Sequence, residues 1–464
     1  MNYDPFLATN VPPALVVGAH YDTFLQQALS RFFERATLEA TPLPSPSSDS
    51  RLAIDPTDDP HVLAVRWFGT RYVLRVPDRL PFTKHEVRFA RAIGSVLESR
   101  YRAILNPQLM VERSGLFRGA IEDRYVGAFF DGTPYSPRAD GGRSERVAEV
   151  LEMMRIAALS SYENKPISTG VLLLEGDADP VGAYPAAERV SPHYTGALTS
   201  IKSFFRLADG LRTVFLVARD GRLLDIVDIG RWGWASVGSP SEVEVPCARA
   251  FAAHAEATRL GRHVCIVLSP SREIKVFAEG AEVFSFRNAD WHLLDLQAKY
   301  MVWAAAVGRP ALARRLFQAA LDLADAREGA LFVVLRRPIE SLPQLIADQD
   351  RLDMELVGEQ PDPATPSRRH LLHVLAGRTL TELDASVLES LSTLDGAIVT
   401  EPGGELLAVG AILRHPPSPV DSGEGASEGA RTTAAISASR HGPVLKVSED
   451  GMITFFDAGR VWDI

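Results

Sequence analysis

Residues 394–413 read LDGAIVTEPGGELLAVGAIL. The run from Ala397 to Thr400 is apolar, Pro402-Gly403-Gly404 is a turn, and Leu406 to Leu413 returns as a second apolar strand. One carboxylate, Asp395, stands at the entrance of this hairpin. Gly396 and Ala397 behind it are small enough to let a ligand approach the main chain.

A second string lies close by, residues 428–456, EGARTTAAISASRHGPVLKVSEDGMITFF. Gly429 and Ala430 lead a turn, Arg431 supplies a cation, Thr432 and Thr433 supply hydroxyls, and Ala434-Ala435 suggest the start of a helix. Main-chain N–H groups where a turn meets a helix N-terminus form a cradle for phosphate. The strand ending in Val447-Ser448-Glu449 then adds a second carboxylate. Two acids and a phosphate turn are ingredients of metal-assisted nucleotide chemistry. The same residues also admit a plainer reading, in which Asp395 caps a turn, Arg431 pairs at the surface and Glu449-Asp450-Gly451 closes a hairpin.

Upstream, residues 311–323 carry leucines and alanines at helical spacing, and GALFVVLRR (329–337) is apolar without alternation, as expected of a buried strand. Strands alternating with helices indicate an α/β domain. The expected fold class is α/β and multidomain: a C-terminal domain with a central mixed twisted β-sheet flanked by helices, preceded by further α/β domains. HVLAVRW and RYVLRVP (61–77) flank Phe68-Gly69-Thr70 as a hairpin, and a helix follows from Thr83, whose spacing to Glu86 is that of a capping box. Residues 144–163 show a helix with a Met153-Met154 pair read as core. TGVLLLEGD (169–177) and RTVFLVARDGRLLDIVDI (212–229) read as strands, the latter a hairpin about Asp220-Gly221. Trp232 and Trp234 read as strand-edge tryptophans, for packing or for stacking on a ligand. Strands are expected at 263–269 and 273–286, and a helical run from Asp290 to Val307. The segments are drawn as 1–115, 116–245 and 246–464, the last with its core at about 300–464.

The 464 residues are 46% hydrophobic and 23% charged, the balance of a folded chain of two to four domains. A formal charge of −10 argues against a nucleic-acid partner. Cys247 and Cys265 have no CxxC spacing, which disfavours a disulfide framework and fits a reducing compartment. No signal peptide is expected at the N-terminus, and no stretch nears the roughly 20 apolar residues of a membrane helix, so no membrane partner and a cytoplasmic location are expected. No P-loop, HExxH, GxSxG or GxGxxG opening a helix is present, and the histidines are scattered.

In order, GALFVVL, LDGAIV, LLAVGAIL, GARTTAA and VLKVSEDGMITF resemble the diadenylate cyclase family, whose marks are Asp-Gly-Ala, Gly-Thr-Arg-His-Arg-Ala-Ala and a Val-Ser-Glu strand end. The resemblance covers roughly the last third of the chain. It implies an enzyme joining two ATP molecules into cyclic di-AMP, with Mg2+ or Mn2+ as cofactor. Asp395 would bind the metal and favour deprotonation of the ribose 3′-OH, with Gly396 and Ala397 in its motif, and Glu449 would help hold the metal. Arg431 and the turn at Gly429–Thr433 would hold the triphosphate, Ile412 and Leu413 with Ala411 would line the adenine pocket, and Ser448 would contact substrate. Two such domains face each other in the family, so a homodimer or higher even oligomer is implied. Where the family has Arg-His-Arg, this chain has Arg431-Thr432-Thr433, so the alternative is a catalytically degenerate or altered-specificity nucleotide-binding regulator of the same fold. Arg414, Arg440, His441 and Lys446 are the cations to consider as replacements. Neither the DNA-binding tail nor the membrane helices of other family members are expected. The hairpin and helix at 61–105 resemble the closing part of a GAF-like sensor domain, and about 300 residues in front look like a sensory region for an unknown ligand.

Overall fold

A computed structural model describes residues 13–44, 51–77, 80–132, 135, 142–175, 192–201, 203–235, 245–352, 372–414 and 430–464. Helices and strands alternate through several mixed sheets, an α/β protein, and the chain divides into two compact units. Residues 1–77, 81–240 and 253–295 form the first, and 78–80, 241–252 and 296–464 the second.

The first unit holds two larger sheets. One has the order β1-β4-β3-β2, from β1 (Thr37–Pro42), β2 (Ala53–Asp55), β3 (Val62–Trp67) and β4 (Thr70–Arg75). β3 and β4 are the expected hairpin, closed at Trp67 and Thr70, with Phe68 at φ +45. The helix Lys84–Leu105 starts as its sequence dictates. Thr83 Oγ1 accepts from the Glu86 N–H and the Glu86 carboxylate accepts from the Thr83 N–H, a complete capping box that satisfies two otherwise orphaned donors. Its buried stripe, Phe89, Ala90, Ile93, Val96 and Leu97, packs into an aromatic core with Trp67, Phe129 and Phe284. The Met153-Met154 pair is buried there too, on the helix Arg143–Ala158.

A short hairpin, β5 (Ser161–Tyr162) and β6 (Lys165–Pro166), precedes the second sheet. That sheet runs β13-β12-β11-β10-β7-β8-β9, from β7 (Thr169–Leu173), β8 (Thr213–Val217), β9 (Leu223–Asp228), β10 (Val264–Leu268), β11 (Ile274–Ala278), β12 (Ala281–Arg287) and β13 (Asp290–Leu293). The strands at 264–293, which the sequence reading groups with the C-terminal segment, pair through β10 onto β7. Two local expectations are corrected here. Asp290–Leu293 is a strand rather than the start of a helix, because Trp291 registers against Phe286 across β12, and the helix begins at Leu296. The Trp232 segment is a helix, Ile229–Ala235, rather than a strand edge, and its Trp232 ring is buried. The Trp234 side chain lies outside the described residues.

In the same unit His85 Nδ1 lies 3.1 Å from Asp295 and Nε2 3.7 Å from Glu279. The hydrogen bond to Asp295, then that to Glu279, raises the imidazole pKa to about 9, against the desolvation that would lower it. A raised histidine stabilises the fold fully below its unfolded pKa of about 6.5 and loses that contribution as pH climbs through about 9. Denaturation in urea is therefore expected to show a loss of about 2 kcal/mol between pH 6.5 and 9.5, discounted for the exposure of Glu279, and His85→Gln is expected to flatten that slope. An unchanged slope in the variant counts against the pair.

The second unit carries a six-stranded sheet, order β16-β15-β14-β17-β18-β19. Its strands are β14 (Ala330–Val334), β15 (Ala397–Thr400), β16 (Leu406–Ala411), β17 (Val444–Val447), β18 (Ile453–Phe456) and β19 (Arg460–Asp463). β14 and β15 are parallel and every other neighbouring pair is antiparallel. The helix Pro310–Ala326 covers one face with Phe317 against Trp462, while Trp303 meets Phe455. The helix Ala430–Ala438 covers the other, burying Ala435 and Ala438 in one cluster with Val333, Val399 and Val444. Proline at the first position and Arg327 in the left-handed region at the end bound the helix Pro310–Ala326. Cys247 and Cys265 are both buried, and neither forms a disulfide among the described residues. Among the described residues no helix is long and apolar enough to cross a membrane.

Candidate functional site

Strand direction determines which ends meet. β14 and β15 start at one edge of the six-stranded sheet, and their antiparallel neighbours β17 and β16 finish at that same edge. Asp395 precedes β15, Gly329 precedes β14, Ser448-Glu449 follow β17, and Ile412-Leu413 follow β16. Neighbouring strands lie about 4.8 Å apart, so the main chain at Asp395 and at Glu449, with β14 between, is separated by roughly 10 Å.

Asp395 is exposed, and its carboxylate forms no hydrogen bond or ion pair among the described residues. It therefore does not cap the turn it sits in. Gly396 has φ +115, and a Cβ there would collide with the main-chain carbonyl of Gly410. Its role in the fold is thus to let β16 close against β15, which seats Asp395 and the buried Ala397 at the sheet edge.

Arg431, in the first turn of the helix Ala430–Ala438, donates from Nη1 to Glu449 Oε1 at 3.0 Å. Gly329 makes room for this, since a Cβ there would run into the guanidinium. The Glu449 side chain is 74% exposed, so the ion pair contributes at most about 1 kcal/mol and is free to exchange partners. Glu449 lies in a tight turn in which the Ser448 N–H donates to the Met452 carbonyl and the Gly451 N–H to the Ser448 carbonyl, each at 2.9 Å, with Gly451 at φ +84. The surface pair and the hairpin of the plainer sequence reading are both present. They put Arg431 and Glu449 at the same end of the sheet as Asp395, across β14 from it.

Lys446 in β17 donates from Nζ to Thr432 Oγ1 at 2.7 Å. Of the four replacement cations, Lys446 reaches the Arg-Thr-Thr string. Arg440 and His441 precede β17 and lie at the opposite edge, where the Arg336 N–H donates to the His441 carbonyl. Arg414 donates to the Pro343 carbonyl at 3.3 Å. Thr433 is half-buried and Ala430 exposed, Ile412 is 60% exposed, Leu413 packs into the core, and Ser448 is half-buried. Gly429 lies outside the described residues. Gly329 and Gly410, to which the motif reading gave no role, are backbone positions on which the edge depends; Gly410 is marked in the sequence by its apolar strand neighbours, whereas Gly329 simply precedes its strand.

Asp395 and Glu449 are hard oxygen donors, of the kind that Mg2+ or Mn2+ takes as one or two carboxylates together with substrate phosphates. No group of three His, Cys, Asp or Glu side chains is gathered closely enough to hold an ion among the described residues. The donor set fits an ion shared with a phosphate rather than one held in an all-protein cage.

No family model matches the chain and no curated protein matches it. Solved structures do show partial similarity. A hypothetical membrane spanning protein from Bacillus cereus is 23% identical over 36% of this chain and 71% of that one, with a TM-score of 0.23. DacA from Staphylococcus aureus, in a double-mutant form, is 24% identical over 32% of this chain and 86% of that one, with a TM-score of 0.19. Overlap at these scores carries no functional argument.

Proposed function

We propose that the C-terminal unit is a diadenylate cyclase, a metal-dependent nucleotidyltransferase that converts two ATP into cyclic di-AMP and two pyrophosphates. The observation that carries the proposal is the unpartnered Asp395 carboxylate at the same sheet edge as the exchangeable Arg431–Glu449 pair. In each half-reaction Asp395 receives the proton of a ribose 3′-OH, whose oxygen bonds to the α-phosphorus of the facing ATP as the bond to pyrophosphate breaks. Arg431 turns from Glu449 to the triphosphate and offsets the charge that collects on the leaving group. Release of Glu449 leaves both carboxylates for Mg2+ or Mn2+, which supplies charge neutralisation when bound. Lys446 and Thr432 stand in for part of the missing Arg-His-Arg donors. Since the two ATP molecules face each other, the reaction needs two copies of this unit, as a dimer or higher even oligomer.

A second reading, a nucleotide-binding regulator without turnover, is favoured by the Arg431-Thr432-Thr433 string itself. Incubation of the full chain with ATP or GTP and Mg2+ or Mn2+, read by mass spectrometry, separates the two. Cyclic di-AMP from ATP is the expected product. A charge-assisted hydrogen bond is worth about 1.5–3 kcal/mol, so the double substitution Thr432→His, Thr433→Arg is expected to raise turnover about tenfold or more. ATP binding without any cyclic product, in both proteins and with both metals, establishes the regulator instead.

A further inference from the structure

The first unit contains a cavity of about 330 Å³ walled by the rings of Tyr21, Phe24, Phe32 and Tyr125, with Arg31 and Arg100 also reaching it. We propose that this cavity binds a small aromatic monoanion, such as an aryl carboxylate, with Arg100 as its counter-ion. The volume falls at the lower end of that for small-molecule sites, and the walls are of the kind such sites use. The rings already meet edge to face, Tyr21 with Phe24 at 5.5 Å and Phe32 with Tyr125 at 6.0 Å between centroids, a geometry that a further ring extends.

The two cations differ in their surroundings. Arg31 is neutralised by Glu122 and Asp290. Arg100 donates from Nε to the Leu116 carbonyl at 2.8 Å and forms no ion pair among the described residues. The titratable groups that act on it are the phenols of Tyr125, Tyr21 and Tyr135 and the like charge of Arg124. Burial destabilises its charged form, and among the described residues no carboxylate pairs with it. Arg124 is 3% exposed and donates to the Arg118 carbonyl at 3.3 and 3.4 Å. The Tyr135 hydroxyl nearby is buried without a hydrogen-bond partner. Of the charged groups that line the cavity, Glu122 is engaged by Arg31, and Arg100 is left facing it without an ion pair among the described residues. A buried cation without a counter-charge is costly, and a bound carboxylate removes that cost. Each of the ring walls then covers the apolar remainder of the ligand. This inference stands apart from the reaction proposed for the second unit.

Calorimetric titration of the full chain with 2-naphthoate and with 2-naphthamide, which has the same ring without the charge, tests the site. The acid is expected to bind about tenfold or more tightly than the amide. Arg100→Met is expected to abolish that preference, Arg100→Lys to keep part of it, and Arg91→Met to leave it unchanged. Equal affinity for the two probes, no saturable binding of naphthoate up to millimolar concentration, or full acid preference in Arg100→Met overturns the proposal. Gln27→Trp, at an exposed lining position, serves where Arg100→Met does not fold: loss of naphthoate binding with an unchanged thermal transition supports the site, and unaltered binding overturns it.

Discussion

Asp395→Asn is expected to lower cyclic di-AMP formation by about 10²–10³-fold while leaving the urea midpoint of the second unit unchanged. Both halves of that expectation follow from the local geometry. The carboxylate is exposed and has no partner among the described residues, so the amide replaces no intramolecular contact, and a surface change of this kind stays within about 0.5 kcal/mol of stability. Catalysis is another matter, because an amide neither takes the ribose proton nor offers a metal ion a negative oxygen. Glu449→Gln is expected to cost less, since Glu449 starts in the pair with Arg431 and its removal also frees that guanidinium for the triphosphate. The measurement is product formed per minute in each variant, alongside ATP affinity. Wild-type rates in Asp395→Asn would reduce the sheet edge to an ordinary surface.

How much of this was legible beforehand depended on range. The hairpin at Trp67 and Thr70, the capping box at Thr83 and Glu86, and the apolar strand from Ala330 to Val334 are all encoded within a few residues, and all three are present. The C-terminal motifs carry their own secondary structure in part: Asp395 does stand before a strand, but the helix expected to start at Ala434-Ala435 begins at Ala430, so Arg431, Thr432 and Thr433 lie within it rather than on a turn. What local pattern does not carry is pairing between distant strands. β10 joins β7 across about ninety residues, so nothing in residues 264–268 says which unit they complete. Asp290–Leu293 read as helix because the apolar run continues into a true helix at Leu296; the cross-strand contact of Trp291 with Phe286 decides otherwise.

The candidate site divides along the same line. Residue types and order indicated which side chains to watch, but whether they meet is a property of strand direction, since β14 and β15 must be parallel for their starts to share an edge with the end of β17. Gly396 shows the limit of residue-level reasoning most clearly. It read as an opening for a ligand, and its positive φ and close contact with Gly410 show a requirement of backbone packing. Arg431 as a surface pair and Lys446 as a replacement cation were legible, but their partners Glu449 and Thr432 were not, because each contact joins a helix to a strand through side chains 18 and 14 residues apart.

The largest stability effect in the first unit is expected from Asp123→Ala, at about 3–5 kcal/mol. Asp123 is 2% exposed, in the first turn of the helix Ile121–Phe129. Its carboxylate accepts from Arg155 Nε and Nη2, both at 2.7 Å, and from the Trp291 indole N–H at 2.8 Å. One side chain therefore ties its own helix to the helix Arg143–Ala158 and to the edge strand β13. Arg155 also lies 4.0 Å over the Phe286 ring, so its position is fixed by packing as well as by charge. Alanine would strand the indole donor of Trp291 in a buried place and leave the partly exposed Arg155 without its counter-charge. Asp123→Asn keeps one acceptor oxygen and is expected to lose less, which separates loss of the charge from loss of the hydrogen bonds. Urea titration followed by tryptophan fluorescence reads both variants, because Trp291 reports on the contact itself. A midpoint for Asp123→Ala equal to the wild type would mean that the bidentate pair merely decorates a junction held by its apolar core, and the tie between helix and edge strand would have to be sought in Phe284 and Phe129 instead.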